Sequence, residues 1–191
     1  MNNGSRKGFA QCVPSKSRHQ NSHTFDIKSA HETEACKRFL FLYNLETTEN
    51  INFLRQGNPK DNEPDCICSD NTAIELVGIY DNEYQAEKIW ASARGKNTFK
   101  QADIRLLTLD NLQNEVGQKL HKLSSGNYNG FSGKIILLCN LQSPLLESME
   151  VERYIEEHTP FRNDGFFERY FEEVWVTWHN TNGKWKIKQL E

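Results

Sequence analysis

Asn62-Glu63-Pro64-Asp65-Cys66-Ile67-Cys68, then Ser69-Asp70-Asn71, then Thr72-Ala73-Ile74-Glu75-Leu76-Val77-Gly78-Ile79-Tyr80, sets one acid directly after a proline and a second inside an apolar run. Pro64 fixes φ and lacks a ladder donor, which suits the first residue of a strand. Asp70-Asn71 supplies a turn, so the stretch reads as two adjacent strands that bring Asp65 and Glu75 together. In the second strand, alternation sends Ile74, Leu76, Gly78 and Tyr80 to one face and Glu75, Val77 and Ile79 to the other. Glu75 thus falls on a largely apolar face, where a carboxylate is costly unless it is paired, protonated or bound to a cation. Two carboxylates converging on one point repel, and a divalent metal is the usual remedy.

Upstream, Ser29-Ala30-His31-Glu32 has the form of a capping box and predicts a helix that starts at Ser29 and buries Ala35, Phe39 and Leu42 before ending near Asn44. Glu32 then has two readings. The more ordinary is a cap partner for the Ser29 amide; the sharper is an acid directed from the helix toward Asp65 and Glu75. Helical phase puts Glu32 close to the apolar face and Glu34 nearly opposite it. Ile51–Gln56 reads as a short strand, and residues 57–62 as a loop by composition.

Downstream, Asn82 with Gln85 opens a helix through Arg94, with Ala86, Ile89, Trp90 and Ala93 inward and Lys88 on the opposite side. Residues 102–108 read as a strand or extended lead-in. Asp110 with Gln113 opens a second helix, with Leu112, Val116, Leu120 and Leu123 inward. Lys119 lies within that stripe by phase and Lys122 at its edge. A lysine there either snorkels to water or points at the acidic pair. Lys134–Cys139 is a continuous apolar run and reads as a buried central strand. Ser148–His158 reads as a short helix, and two strands around Asn182-Gly183 as a C-terminal hairpin whose lysines protect a sheet edge.

Composition bounds the rest. The 191 residues, 37% hydrophobic, suffice for one domain with a sizeable core. Residues 1–24 carry almost nothing to bury and read as a flexible basic tail, leaving 25–191 as a single domain. The tail's sharper reading is a nucleic-acid-binding arm. Net charge is −3, yet Arg6, Lys7, Lys16 and Arg18 sit in the first 25 residues without an acid, so a basic arm precedes an acidic body. Apolar runs are too short to cross a bilayer and the start lacks a signal-peptide core, which predicts a cytoplasmic protein. Five cysteines without a C-x-x-C pair point to reduced thiols that pack as small hydrophobes. His19 and His23, at i, i+4, with Cys12 or the Cys66/Cys68 pair, form a remote alternative metal set, lacking the tight ligand pairs of zinc sites. No phosphate-binding Gly-rich loop, dinucleotide fingerprint or nucleophile elbow is present, which counts against those chemistries.

A glutamate-bearing helix, a short strand, Pro64-Asp65 on a second strand, Ile74-Glu75-Leu76-Val77 on a third, then helix and strand: from about residue 29 to 140 the pattern resembles the PD-(D/E)xK nuclease superfamily, in particular an uncharacterised bacterial branch. The resemblance implies an α/β, restriction-endonuclease-like αβββαβ core with a mixed central sheet flanked by helices. It implies Mg²⁺ (or Mn²⁺) held by Asp65, Glu75 and a main-chain carbonyl, that of Leu76 or Cys66. Glu32 (or Glu34) would be the helix acid. The lysine slot two residues after Glu75 holds Val77. Lys119 is the position whose phase lets it fill that role from another element, with Lys122 and Lys88 as weaker choices. The implied activity is hydrolysis of DNA phosphodiesters; the alternative is an inactive protein of the same fold that binds nucleic acid or a protein partner. A homodimer is compatible with either.

Overall fold

The computed structural model describes residues 20–80, 130–142, 148–157 and 171–190, together with residues 112, 115–119, 121 and 128. The expected helix over 82–94, the strand over 102–108 and the lysines Lys88 and Lys122 lie outside the described residues, as do Cys12, His19 and the side chain of His23.

Helix α1 spans Gln20–Thr47. Its buried residues Ala35, Cys36, Phe39, Leu40 and Tyr43 recur at helical spacing and form one stripe. It ends where Thr48 takes a left-handed backbone, φ 61°. The Asn44 amide then clasps the exiting chain: Nδ2 donates to the Ile51 carbonyl at 2.8 Å and Oδ1 accepts from the Ile51 N–H at 3.0 Å.

Among the described residues six strands follow: β1 (Phe53–Gln56), β2 (Cys66–Cys68), β3 (Thr72–Ile79), β4 (Lys134–Leu141), β5 (Glu173–His179) and β6 (Trp185–Gln189). They lie in one sheet in sequence order. The β1/β2, β2/β3 and β5/β6 pairs are antiparallel, whereas β3/β4 and β4/β5 are parallel. The expected turn between β2 and β3 is made by Asp70 and Asn71, both left-handed at φ 54° and 53°, a geometry that short polar side chains tolerate. Strand β4 is central and buried along nearly its whole length, as its unbroken apolar run requires. Helix α2 (Ser148–Glu157) falls between β4 and β5.

Alternation along the strands divides the interior into two cores. Cys36, Phe39 and Tyr43 of α1 pack on Ile74, Ile136, Leu138 and Trp175. On the other face Val77, Ile79, Leu137, Cys139 and Val176 meet Leu112 and Val116, and Val151 and Ile155 of α2. The result is a three-layer α/β arrangement.

The helix expected from Ser29 differs at both ends and on its face: it runs on to Thr47, and Leu42 is only half-buried while Cys36, Leu40 and Tyr43 fill the buried stripe. The helix does not begin at Ser29; it is helical from Gln20, so residues 20–24 belong to it. Ser29 sits inside the helix, its hydroxyl hydrogen-bonded to Gln56 Oε1, while Gln56 Nε2 donates to the Ser29 carbonyl and, at 2.9 Å, to Thr33 Oγ1. A tertiary partner thus takes up the groups that a cap would have used, and Glu32 has no capping task. It pairs instead with Lys28 at i, i+4, 3.2 Å away.

Candidate functional site

Strand β2 ends its pairing at Cys66, opposite Ile74, so the next residue in antiparallel register places Asp65 beside Glu75. The two acids hold each other through the main chain. Asp65 Oδ2 accepts the Leu76 N–H at 2.9 Å, and Glu75 Oε2 accepts the Asp65 N–H at 3.3 Å. The loop before them is clamped from both sides. The Gly57 N–H donates to the Asp65 carbonyl at 2.9 Å, and a Cβ on Gly57 would stand 1.7 Å from the Pro64 oxygen, so only glycine allows this approach. Arg55 grips Glu63 through two parallel hydrogen bonds of 2.6 and 2.8 Å, and Glu63 also accepts the Asn58 N–H at 2.8 Å.

Glu75 is 3% exposed. Its charge is met by Lys119, whose ammonium is hydrogen-bonded to Oε1 from the helical segment 115–119. Of the two readings of Lys119, this is the cation directed at the acids. The Tyr128 hydroxyl makes a further hydrogen bond to the same carboxylate. Burial pushes the Glu75 pKa upward, and the charge on Asp65 adds to the rise; Lys119 and Tyr128 oppose it without cancelling it. Tyr128 is driven up by its own burial and by Glu75, and its backbone holds φ 69°, which is rare for an aromatic residue.

Glu32 and Asp65 line one cleft of about 500 Å³ between α1 and the open edge of β3, together with Lys28 and Lys119. Burial raises the Glu32 pKa and Asp65 raises it further, against the pull of Lys28 and Lys119. Burial pulls Lys28 the other way, but Glu32, Asp65 and Glu75 outweigh it and its pKa rises. Glu34 also borders the cleft. The structure therefore brings together Asp65, Glu75, Lys119 and Glu32 at one end of the sheet.

Among the described residues no group of three or more His, Cys, Asp or Glu side chains is arranged to hold a metal ion. The oxygens at hand are those of Asp65 and Glu75 and the Leu76 carbonyl. Because Leu76 turns its N–H toward Asp65, its carbonyl, which leaves the strand on the same side, faces the place where β2 has ended. An all-oxygen set of this kind suits a hard divalent cation and not a soft one.

Sequence reading missed Tyr128 and Lys28. Lys28 carried a usable signal, a lysine one turn before Glu32. The signal for Tyr128 was fainter: an aromatic set in Gly126-Asn127-Tyr128-Asn129-Gly130, a turn-forming frame with no period.

No helix among the described residues is long and apolar enough to cross a membrane. No protein-family model matches the chain. No curated protein and no solved structure matches it either.

Proposed function

We propose that the chain is a metal-dependent nuclease of the PD-(D/E)xK type, hydrolysing DNA phosphodiesters, with Asp65 and Glu75 as ligands of Mg²⁺ or Mn²⁺ and the Leu76 carbonyl completing the protein's share. One observation carries the reading: Lys119, 44 residues from Glu75, delivers to that acid the ammonium that Val77 does not. The order helix, three antiparallel strands, then a strand parallel to the third agrees with the αβββαβ core that the motif implies.

A bound Mg²⁺ would supply Lewis-acid polarisation of the phosphate and a more acidic attacking water. The chain's own groups do the rest. Asp65 and Glu75 fix the ligand oxygens through their mutual backbone hydrogen bonds. Lys119 keeps one N–H on Glu75 and turns its remaining protons toward a water or a phosphate oxygen. Glu32, whose pKa is raised by burial and by Asp65, lines the same cleft and offers it a second carboxyl.

Cleavage of plasmid and single-stranded DNA with Mg²⁺ or Mn²⁺ tests this, comparing the wild type with Asp65→Ala and Glu75→Ala. Activity in the wild type alone is the expected result; equal rates in all three reject it. A second reading has its own support, because Glu75 is already engaged by Lys119, Tyr128 and the Asp65 N–H: a non-catalytic protein of the same fold. Mn²⁺ titration by calorimetry separates the two, since an intact protein that takes up no metal favours the second.

A further inference from the structure

The cleft that begins at Asp65 and Glu32 continues along β3 to a different set of side chains, which the proposed chemistry does not use. Arg38, on α1, lays its guanidinium over the Trp185 ring, Cζ 3.6 Å from the ring centroid. Its Nε is buried and has no hydrogen-bond partner among the described residues. Gly78 and Asn140 line the same stretch of the cleft. Gly78 of β3 faces Asn140 of β4 in the sheet register, and Asn140 faces Thr177 of β5.

Asn140 is 7% exposed, and its Oδ1 accepts no hydrogen bond among the described residues. Its neighbour does not serve it, because the Thr177 hydroxyl donates to the Lys186 carbonyl at 3.0 Å. A buried acceptor without a donor is costly, and inside an interior of Ile136 and Leu138 a leucine would fill the place without that cost. Gly78 adds a second peculiarity, since the Tyr80 ring occupies the space above it, 2.9 Å from where a Cβ would stand. An aromatic ring, a guanidinium stacked on a second aromatic, and an acceptor awaiting a donor therefore border one recess. Flat heterocycles with an N–H on the edge match all three. They stack on aromatic rings and on guanidinium planes, and their exocyclic amines donate.

We propose that this end of the cleft is a subsite for an unpaired nucleobase, whose edge N–H is accepted by Asn140 Oδ1 and whose face stacks against the Arg38–Trp185 pair or Tyr80. It rests on the proposed nuclease reading and narrows it to a substrate class: single-stranded or locally unpaired nucleic acid. Helical rise supports the placement. Arg38 stands six residues beyond Glu32 on α1, roughly 9 Å along the axis at 1.5 Å per residue, so a base at Arg38 leaves its backbone within about a nucleotide of the acids.

The test is binding by fluorescence anisotropy in EDTA, with the full chain and a short labelled single strand. Three further probes are its duplex, the same strand with abasic sites, and the single strand with the Asn140→Leu variant. The single strand should bind at least about fivefold more tightly than the duplex or the abasic strand, the lower end of what one stacked base provides. Asn140→Leu should lose most of that preference while melting at the same temperature as wild type or higher, an opposition that a merely structural asparagine would not produce. Equal affinity for normal and abasic strands, no binding at all, or an unchanged preference in the variant overturns the subsite. If Asn140→Leu fails to fold, the wild-type comparison of normal and abasic strands decides alone. Base-dependent binding without cleavage in any metal would sink the nuclease reading and leave the subsite standing; cleavage with indifference to bases would do the reverse.

Discussion

Lys119 and Glu75 form an ion pair whose two ends differ in access to water: the lysine side chain is 18% exposed and the glutamate 3%. The carboxylate is the captive partner. Lys119→Met should therefore destabilise the metal-free protein by about 2–3 kcal/mol, below the full cost of orphaning a buried charge because the lysine end is partly wet. The loss should also depend on pH. Glu75 already has a raised folded pKa, and removing the lysine raises it further. An acid whose folded pKa is raised contributes stability that is present below its unfolded value and lost as pH rises through the folded value. Urea unfolding in EDTA should show a smaller deficit at pH 5 than at pH 8, and Lys119→Arg should recover most of it. A deficit independent of pH would mean that Glu75 is not the partner that matters.

Tyr128 contributes a hydroxyl to the same carboxylate from a backbone conformation that aromatic residues avoid. Tyr128→Phe keeps the ring and the strain but removes the bond, so the cost to stability should be about 1 kcal/mol. On the proposed DNA cleavage its effect should be a drop in kcat with little change in KM, because the hydroxyl fixes Glu75 and is not directed at the substrate. Denaturant melts and steady-state kinetics measure both. An increase in KM with kcat intact would place Tyr128 on the substrate instead.

Glu63 reports on acid. The Arg55 guanidinium, aided by the Asn58 N–H, holds its carboxyl down at about 2. A depressed acid contributes stability that is present above the unfolded pKa and lost as pH falls through the folded one. The loop that presents Pro64 and Asp65 should thus loosen as pH drops from the ordinary carboxylate range toward about 2. Thermal melts of Glu63→Gln across that window should show a shallower decline than wild type. Parallel declines would show that this clamp adds nothing measurable.

The pairing of Asp65 with Glu75 was legible because every step was local: a proline, a two-residue polar turn, and an alternation of period two. Lys119 was legible by helical phase alone, which said that it faced inward but not what it met. The failure at Ser29 has the opposite cause. A capping box is a local signal, and Gln56, 27 residues away, supplied the hydrogen bonds that let the helix run through it. Tyr128 lies in a turn without periodicity. Asn140 hides in the apolar run of β4, where alternation reveals the face but not that an acceptor there lacks a donor.

On the α1 face, far from Asp65 in the strand order, a second polar network ties helix to sheet. Glu173 Oε1 accepts the Tyr43 hydroxyl at 3.1 Å and pairs with Lys134, while Oε2 accepts the Trp175 indole N–H at 2.6 Å. Lys134 also donates to the Tyr43 hydroxyl at 3.1 Å. Burial moves the Tyr43 phenol up to about 12, the nearby Glu173 adding to the rise and Lys134 opposing it. For a group with a raised folded pKa the contribution is complete below the unfolded value and disappears as pH climbs through the folded one. Wild type should therefore lose stability between about pH 10, the ordinary tyrosine value, and about 12. Tyr43→Phe should flatten that alkaline limb, and Glu173→Gln, which leaves Lys134 partly buried beside a neutral amide, should cost about 2 kcal/mol at pH 7. Neither substitution touches the cleft, so the proposed cleavage, per folded molecule, should stay at the wild-type rate. Alkaline melts and active-site titration check the two halves separately; a fall in specific activity of Glu173→Gln would tie this network to the site across the sheet.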